Sequence, residues 1–314
     1  MPTYNQVLRA HRDKIARITD QQAIRRLRKV YNATIHDIER RLARLPGARR
    51  DSFTAHQYRA FLGQLREGMI LTTRRLSDTM AVISLRTQMQ ALNDLIRDIK
   101  ILESQFTGAS VVLPVQEAAR FQGVITGVRD SFLRANRTSM ARYGARLIGK
   151  MENQLSSALL VGDDVGGAIS RVVDTADIEW WQAERIVRTE NMWAYNATQH
   201  QAVKESADVV PDMMMRWTEH ISDVTGRALD SRVDGGRIED SHAMHGQVAP
   251  PGGVFRFPNT MPDGSPIPPE LSRFAGKTWA NPPNRPNDRA SLAPWRPHWG
   301  IPAWQCVGGV RVPL

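Results

Sequence analysis

Ile24-Arg25-Arg26-Leu27-Arg28-Lys29-Val30-Tyr31, running on through Ile35, Ile38 and Leu42 to Leu45, is the stretch whose pattern decides the fold class. Apolar residues fall at Ile24, Leu27, Tyr31, Ile35, Ile38, Leu42 and Leu45 with spacings of three and four, the period of one helix face and not of a strand. Thr19-Asp20 supplies an N-cap, and Pro46-Gly47 ends the pattern. The flanks carry Arg25, Arg26, Arg28, Lys29, Arg40, Arg41 and Arg44. Such a helix needs a partner helix along its seam and suits an anion or an acidic partner on its basic face.

Working outward, the same period continues downstream. Tyr58, Leu62, Leu65, Met69, Leu76, Met80, Ile83, Leu92, Leu95, Ile99, Leu102 and Phe106 trace a pattern too long for an ordinary globular helix. Gly63 and Gly68 predict an interruption, giving an extended hairpin or two consecutive helices. Met69, Met80 and Met89 read as core packing. After a break from Thr107 to Pro114, a third helical region runs from Val115 to about Leu160, with Phe121, Ile125, Val128, Phe132, Tyr143, Leu147, Met151, Leu155 and Leu159 on its apolar stripe. Arg129, Arg134, Arg137, Arg142, Arg146 and Lys150 give it a second, weaker basic face. Gly162 to Gly167 forms a loop and a helix start without the pattern of a phosphate-binding loop, and Ile178 to Ser206 is again helical, with Trp180, Val187, Trp193 and Ala197 as core.

The C-terminal part changes character. Residues 249–314 contain 14 of the 18 prolines and four of the eight tryptophans, Trp279, Trp295, Trp299 and Trp304. Proline density excludes long helices and limits strand pairing, so this part is extended chain with short strands, anchored by its tryptophans on its own domain or on another subunit.

The composition bounds the function. The chain has 314 residues, 41% of them hydrophobic, and a net charge of +10. Thirteen Lys and Arg against four Asp and Glu lie in residues 1–50, so nearly all of the excess is local and points to a polyanion or an acidic surface. No apolar run is long enough to span a membrane, and the N-terminus lacks the apolar core of a secretory signal. The single cysteine, Cys306, excludes an intramolecular disulfide framework and a multi-cysteine zinc site, and reads as a small half-buried hydrophobe.

Chemistry would be sought between Arg216 and Arg289, where His220, Asp223, Asp230, Asp240, His242 and His245 lie among turn-forming residues. His242 and His245 are spaced to face one ion on a helical turn, but structural, hydrogen-bonded histidines are the commoner outcome of such a pair. No GxSxG or HExxH pattern is present.

Three segments carry a resemblance. The first is Arg185-Ile186-Val187-Arg188-Thr189-Glu190 followed by Ala194-Tyr195-Asn196. The second is Met215-Arg216-Trp217, then Asp223, Arg227, Asp230 and Arg232, then Ser241-His242-Ala243-Met244-His245-Gly246-Gln247-Val248. The third is Pro282-Pro283-Asn284-Arg285-Pro286-Asn287-Asp288-Arg289. Their content and order over roughly 105 residues resemble the phage Mu F-like family of minor head, or head-morphogenesis, proteins. The signature positions are Arg188, Glu190, Asn196, Trp217, Asp230, His242, His245, Gly246, Pro282, Pro283, Asn287 and Arg289. Arg285 and Asp288 stand where the family pattern has His and Cys, so a metal site built on those two ligands cannot form here.

The expected architecture is a mainly α N-terminal region of long helices or a helical hairpin, then a small α+β domain and a Pro/Trp-rich extended C-terminal tail. Residues 1–160 would form the basic helical region, 161–248 the helical lead-in and core of the head-morphogenesis domain, and 249–314 its extended remainder. The resemblance implies a structural, non-catalytic component of the virion head interior or portal vertex, assembled in the host cytoplasm and acting in head assembly, DNA packaging or DNA ejection. Expected partners are the portal protein, major capsid or scaffold proteins and packaged double-stranded DNA bound without sequence preference through Arg25, Arg26, Arg28, Lys29, Arg40, Arg41 and Arg44. A homo-oligomer is compatible with this; no membrane, cofactor or metal is expected. Deletion of residues 1–50 would remove most DNA binding. The alternatives are a metal-dependent enzyme using Asp230, His242 and His245, and a basic helical adaptor that pairs through the seam from Ile24 to Leu45.

Overall fold

Four long helices account for most of the chain up to residue 204 in the computed structural model. It describes residues 21–44, 53–108, 112–113, 118–218, 243–261, 263–269, 271–282 and 290–314. The helices are α1 (Gln21–Ala43), α2 (Ala55–Phe106), α3 (Ala118–Val161) and α4 (Val165–Lys204). Among the described residues seven short strands follow: β1 (Met214–Thr218), β2 (Val248–Ala249), β3 (Phe255–Arg256), β4 (Thr278–Trp279), β5 (Ser291–Trp295), β6 (Trp304–Val307) and β7 (Val310–Pro313). The protein is thus mainly helical, with small sheets of short strands in the C-terminal region. Among the described residues no helix is long and apolar enough to cross a membrane.

The seam on α1 buries as its spacing predicts. Leu27, Tyr31, Ile35, Ile38 and Leu42 are all buried, while Ile24 is half-buried and Leu45 lies outside the described residues. Each buried Leu or Ile contributes about 1.5–3 kcal/mol relative to exposure.

α2 is one continuous helix of 52 residues, where an interruption at Gly63 or Gly68 was expected. A capping box starts it: Gln57 N donates to Thr54 Oγ1 and Thr54 N donates to Gln57 Oε1 at 2.9 Å. Gly68 is a contact device and not a break, because a Cβ there would lie 2.5 Å from Ile38 Cγ1. The absent side chain lets α1 approach α2 closely. Met69 and Met80 are buried as expected, but Met89 is 45% exposed. The core-facing positions here are Gln88, Leu92, Leu95 and Ile99, all fully buried, and Met89 sits one residue off that line. α4 begins at Val165, well before Ile178, because Asp164 caps it: Gly167 N donates to Asp164 Oδ1 at 2.6 Å. Trp180, Val187 and Ala197 are buried and Trp193 is half-buried.

The chain divides into two compact units, and the division crosses the helices. α2, α3 and α4 each contribute a segment to both units, because helices of 40 to 52 residues are longer than either hydrophobic core.

The helical unit comprises Asp20–Ile83 and Ser131–Val187. Within it α2 and α3 run antiparallel, tied by Tyr58 to Ser156 at 3.1 Å, Arg66 to Glu152 at 2.8 Å and Asn136 to Ser77 Oγ at 3.1 Å. Tyr31 Oη donates to the Ala176 carbonyl at 2.7 Å, and its ring lies 4.9 Å from that of Trp180, which seats α1 against α4. Tyr143 Oη reaches Tyr31 Oη at 3.4 Å; burial pushes the Tyr143 hydroxyl up to about 12, so it stays a neutral donor.

The second unit, which we call the mixed unit, contains Ser84–Asp130 and Arg188–Leu314. Its three-stranded antiparallel sheet has the order β2-β1-β5, with Arg216 opposite Val248 and Ala293, and Trp217 opposite Leu292. Pro294 is accommodated because β5 is an edge strand. Leu92, Leu95 and Ile99 from α2, Val124 and Ile125 from α3, Ala202 and Val203 from α4, and Met215, Trp217, Phe255, Phe257 and Leu292 share one core. β3 pairs with β4, and β6 with β7 through the Gly308-Gly309 turn. The tryptophans of the tail anchor on their own unit: Trp295 and Trp299 are buried, and Trp279 packs against the core.

Candidate functional site

The first candidate surface is the polar side of α1. Arg25, Arg26, Arg28, Lys29, Arg40 and Arg44 are exposed, and Arg41 is half-buried. The seven are not equivalent. Asp37 pairs with Arg41 at 2.9 Å and with Arg40 at 3.4 Å, which offsets the C-terminal half of the face. Arg25, Arg26, Arg28, Lys29 and Arg44 form no ion pair among the described residues, and of these the N-terminal four lie together as the cluster available to an anion.

The second candidate is the module to which the resembling segments contribute from Arg188 onward in the mixed unit, for the residues described. Asn196, fully buried on α4, is its hub. Its Nδ2 donates to the carbonyls of Pro282 and Ala290 at 3.3 and 3.1 Å, and its Oδ1 accepts the Leu292 N–H at 2.9 Å. The side chain ties Pro282 to Ala290 and orients the start of β5. That sequence segment includes Pro283, Asn287 and Arg289, which lie outside the described residues, as do Arg285 and Asp288. Arg188 and Glu190 are half-buried on α4, and both make interactions there.

The His245-Gly246-Gln247 turn docks against β1. Gly246 N donates to the Trp217 carbonyl at 2.9 Å, and Trp217 N to the Gln247 carbonyl at 2.7 Å. Gly246 has φ +85°, and a Cβ there would meet Arg216 Nη2 at 3.3 Å and Trp304 Nε1 at 3.4 Å, so conformation and space both call for glycine. The Gln247 amide makes two bonds to the backbone of Arg256, donating to its carbonyl at 2.9 Å and accepting its N–H at 3.0 Å. Trp304 Nε1 donates to the His245 carbonyl at 2.9 Å, and the Arg311 guanidinium lies 4.0 Å over the Trp304 ring while also donating to the Ala243 carbonyl. His245 thus contributes its backbone to this joint. Its partner in the expected pair, His242, lies outside the described residues, as do His220, Asp223, Asp230 and Asp240. Among the described residues no three His, Cys, Asp or Glu side chains are placed to hold a metal ion.

No family model, curated protein or solved structure matches the chain.

Two features of the mixed unit carried no local sequence signal. Arg296 makes a bidentate pair with Asp212, at 2.9 and 2.7 Å, and also reaches the buried Glu103 carboxylate. Partial burial pushes the Asp212 carboxyl up, but the hydrogen bonds and charge of Arg296 outweigh it and hold Asp212 below its ordinary value. His298 lies 3.6 Å from both Glu103 and Asp212, and Trp299 stacks on Phe106 at 6.1 Å, so residues 296–299 dock on the end of α2. The other feature is His200, buried on α4 beside Phe255, with its Nε2 unpaired among the described residues. Burial depresses its basicity, the Ala280 backbone bond opposes this, and Lys204 adds to it. Cys306 is half-buried, and burial pushes its thiol up, away from reactivity.

Proposed function

We propose that this chain is a structural minor head protein of the phage head-morphogenesis type, associated with the portal vertex or capsid interior and acting in head assembly, DNA packaging or DNA ejection. The observation that carries the reading is the Asn196 clasp. Among the described residues, the signature asparagine of the first segment bonds to Pro282, where the third begins, and to Ala290 and Leu292 just past its end, and β1 from the second pairs with β5. The bonds at Gly246 and Gln247 give the motif residues scaffolding work, which suits a structural role better than a catalytic one.

The contact with DNA or an acidic portal surface falls to Arg25, Arg26, Arg28 and Lys29, acting by charge on phosphates or carboxylates and reading no sequence. The adaptor alternative needs a free seam on α1, and that seam is filled by the chain's own helical unit.

Co-expression with a phage portal protein, followed by affinity purification, tests the assignment: a stable complex is expected, and its absence at both low and high salt sinks the reading. For DNA, deletion of residues 1–50 is the wrong tool, since it would strip a buried helix from the unit. Charge reversal at Arg25, Arg28 and Lys29 leaves the seam intact. It should lower duplex affinity by at least about tenfold at low salt and flatten the salt dependence. Undiminished binding would remove the DNA role from this face.

A further inference from the structure

The helical unit segregates its charge, and the two halves are complementary. On α3, residues 131–151 contain no acidic side chain, and Arg134, Arg137, Arg142 and Arg146 are exposed without an ion pair among the described residues. Thr138, Ala141 and Ala145, also exposed, place small side chains among these arginines. On α4 the outward ridge has the opposite character. Asp174 and Asp177 are exposed without an ion pair among the described residues, and beside them Ile178 is 68% and Trp181 50% exposed. Residues 174, 178 and 181 follow one another at four and three positions, so the acids and the two large apolar side chains form one continuous ridge.

We propose that the α4 ridge of one copy of this chain packs against the arginine-rich face on α3 of a second copy. The Asp174/Asp177 pair meets Arg134 and Arg142, and the Trp181 ring offers its face to a guanidinium. A second copy is the occupant favoured because the chain itself carries the counter-surface in charge. The contact joins different faces of the two copies, either reciprocally in a two-fold dimer or head to tail in a ring or chain. It uses neither the α1 quartet nor the Asn196 module and does not rest on the minor-head reading.

Sedimentation velocity on the nuclease-treated full chain tests it. Concentration-dependent association is expected at low ionic strength, weakening by at least about tenfold in Kd at roughly 0.5 M salt. Asp174→Arg with Asp177→Arg, and separately Arg134→Glu with Arg142→Glu, should each give monomers with wild-type circular dichroism and thermal unfolding. An equimolar mixture of the two variants should associate again, since each supplies the face the other needs. Trp181→Ala should weaken association about tenfold while leaving the charges in place. A wild-type chain that stays monomeric, reversal variants that associate as wild type, or a mixture that remains monomeric would each overturn the proposal.

Discussion

The Oδ1 atom of Asn196 accepts the backbone N–H of Leu292 at 2.9 Å, across 96 residues of chain. With the two carbonyls held by Nδ2, this one side chain bonds three buried backbone groups, of which the Pro282 carbonyl also accepts from Asn281 Nδ2 at 3.0 Å. Asn196→Ala should therefore destabilise the mixed unit by about 2 kcal/mol, since it leaves the buried Leu292 N–H without its acceptor. Asn196→Asp should be no better at neutral pH, because a carboxylate would face two carbonyl oxygens. Chemical denaturation checks this; a loss below about 1 kcal/mol for the alanine variant would deny Asn196 the role of hub.

Gly246→Ala tests the joint between the motif turn and β1. An L-residue at φ +85° costs about 1–2 kcal/mol, and the new methyl would press on Arg216 and Trp304. The Trp304 indole, bonded to the His245 carbonyl, should report the shift as a change in near-ultraviolet circular dichroism. An unchanged spectrum with unchanged stability would mean that the turn relaxes freely.

Arg296→Ala should be more damaging than its surface position in sequence suggests. It leaves the buried Glu103 carboxylate without its cation, a loss of about 3–5 kcal/mol for a broken buried pair. Glu103→Leu added to Arg296→Met should recover much of that loss by removing both charges together. The Asp212 arm gives the sign of the acid response. Its folded carboxyl is depressed, so its contribution is complete above the unfolded value near 3.8 and disappears as the pH falls through the folded value. Equal stability of the single and double variants would show that Glu103 tolerates isolation.

What was legible in the sequence was what burial makes periodic. The α1 seam, the stripes on α2 and α3 and the proline-broken tail follow from one-sided burial and from backbone donors that proline removes. The continuity of α2 was not legible, because the meaning of Gly68 depends on where Ile38 arrives from a different helix. Met89 misled for a related reason: its neighbour Gln88, a polar residue, takes the core-facing position. The motif residues could be picked out by order, yet their work could not. Asn196 acts on atoms 86 to 96 residues away, and Arg296 reaches Glu103 across 193. No local pattern encodes a pairing of that span.

His200 supplies the pH test. Its folded-state basicity is depressed, first by burial and then by the charge of Lys204, against the Ala280 backbone bond that favours the charged form. The unfolded chain therefore binds a proton at a higher pH than the folded one. Stability is unaffected well above the unfolded value of 6.5 and falls as the pH drops below it, by at most about 1.4 kcal/mol per unit until the folded value is reached. His200→Gln should accordingly flatten the loss of Tm between about pH 7.5 and pH 5. If the His200 variant keeps the wild-type slope, the acid sensitivity of the mixed unit originates elsewhere.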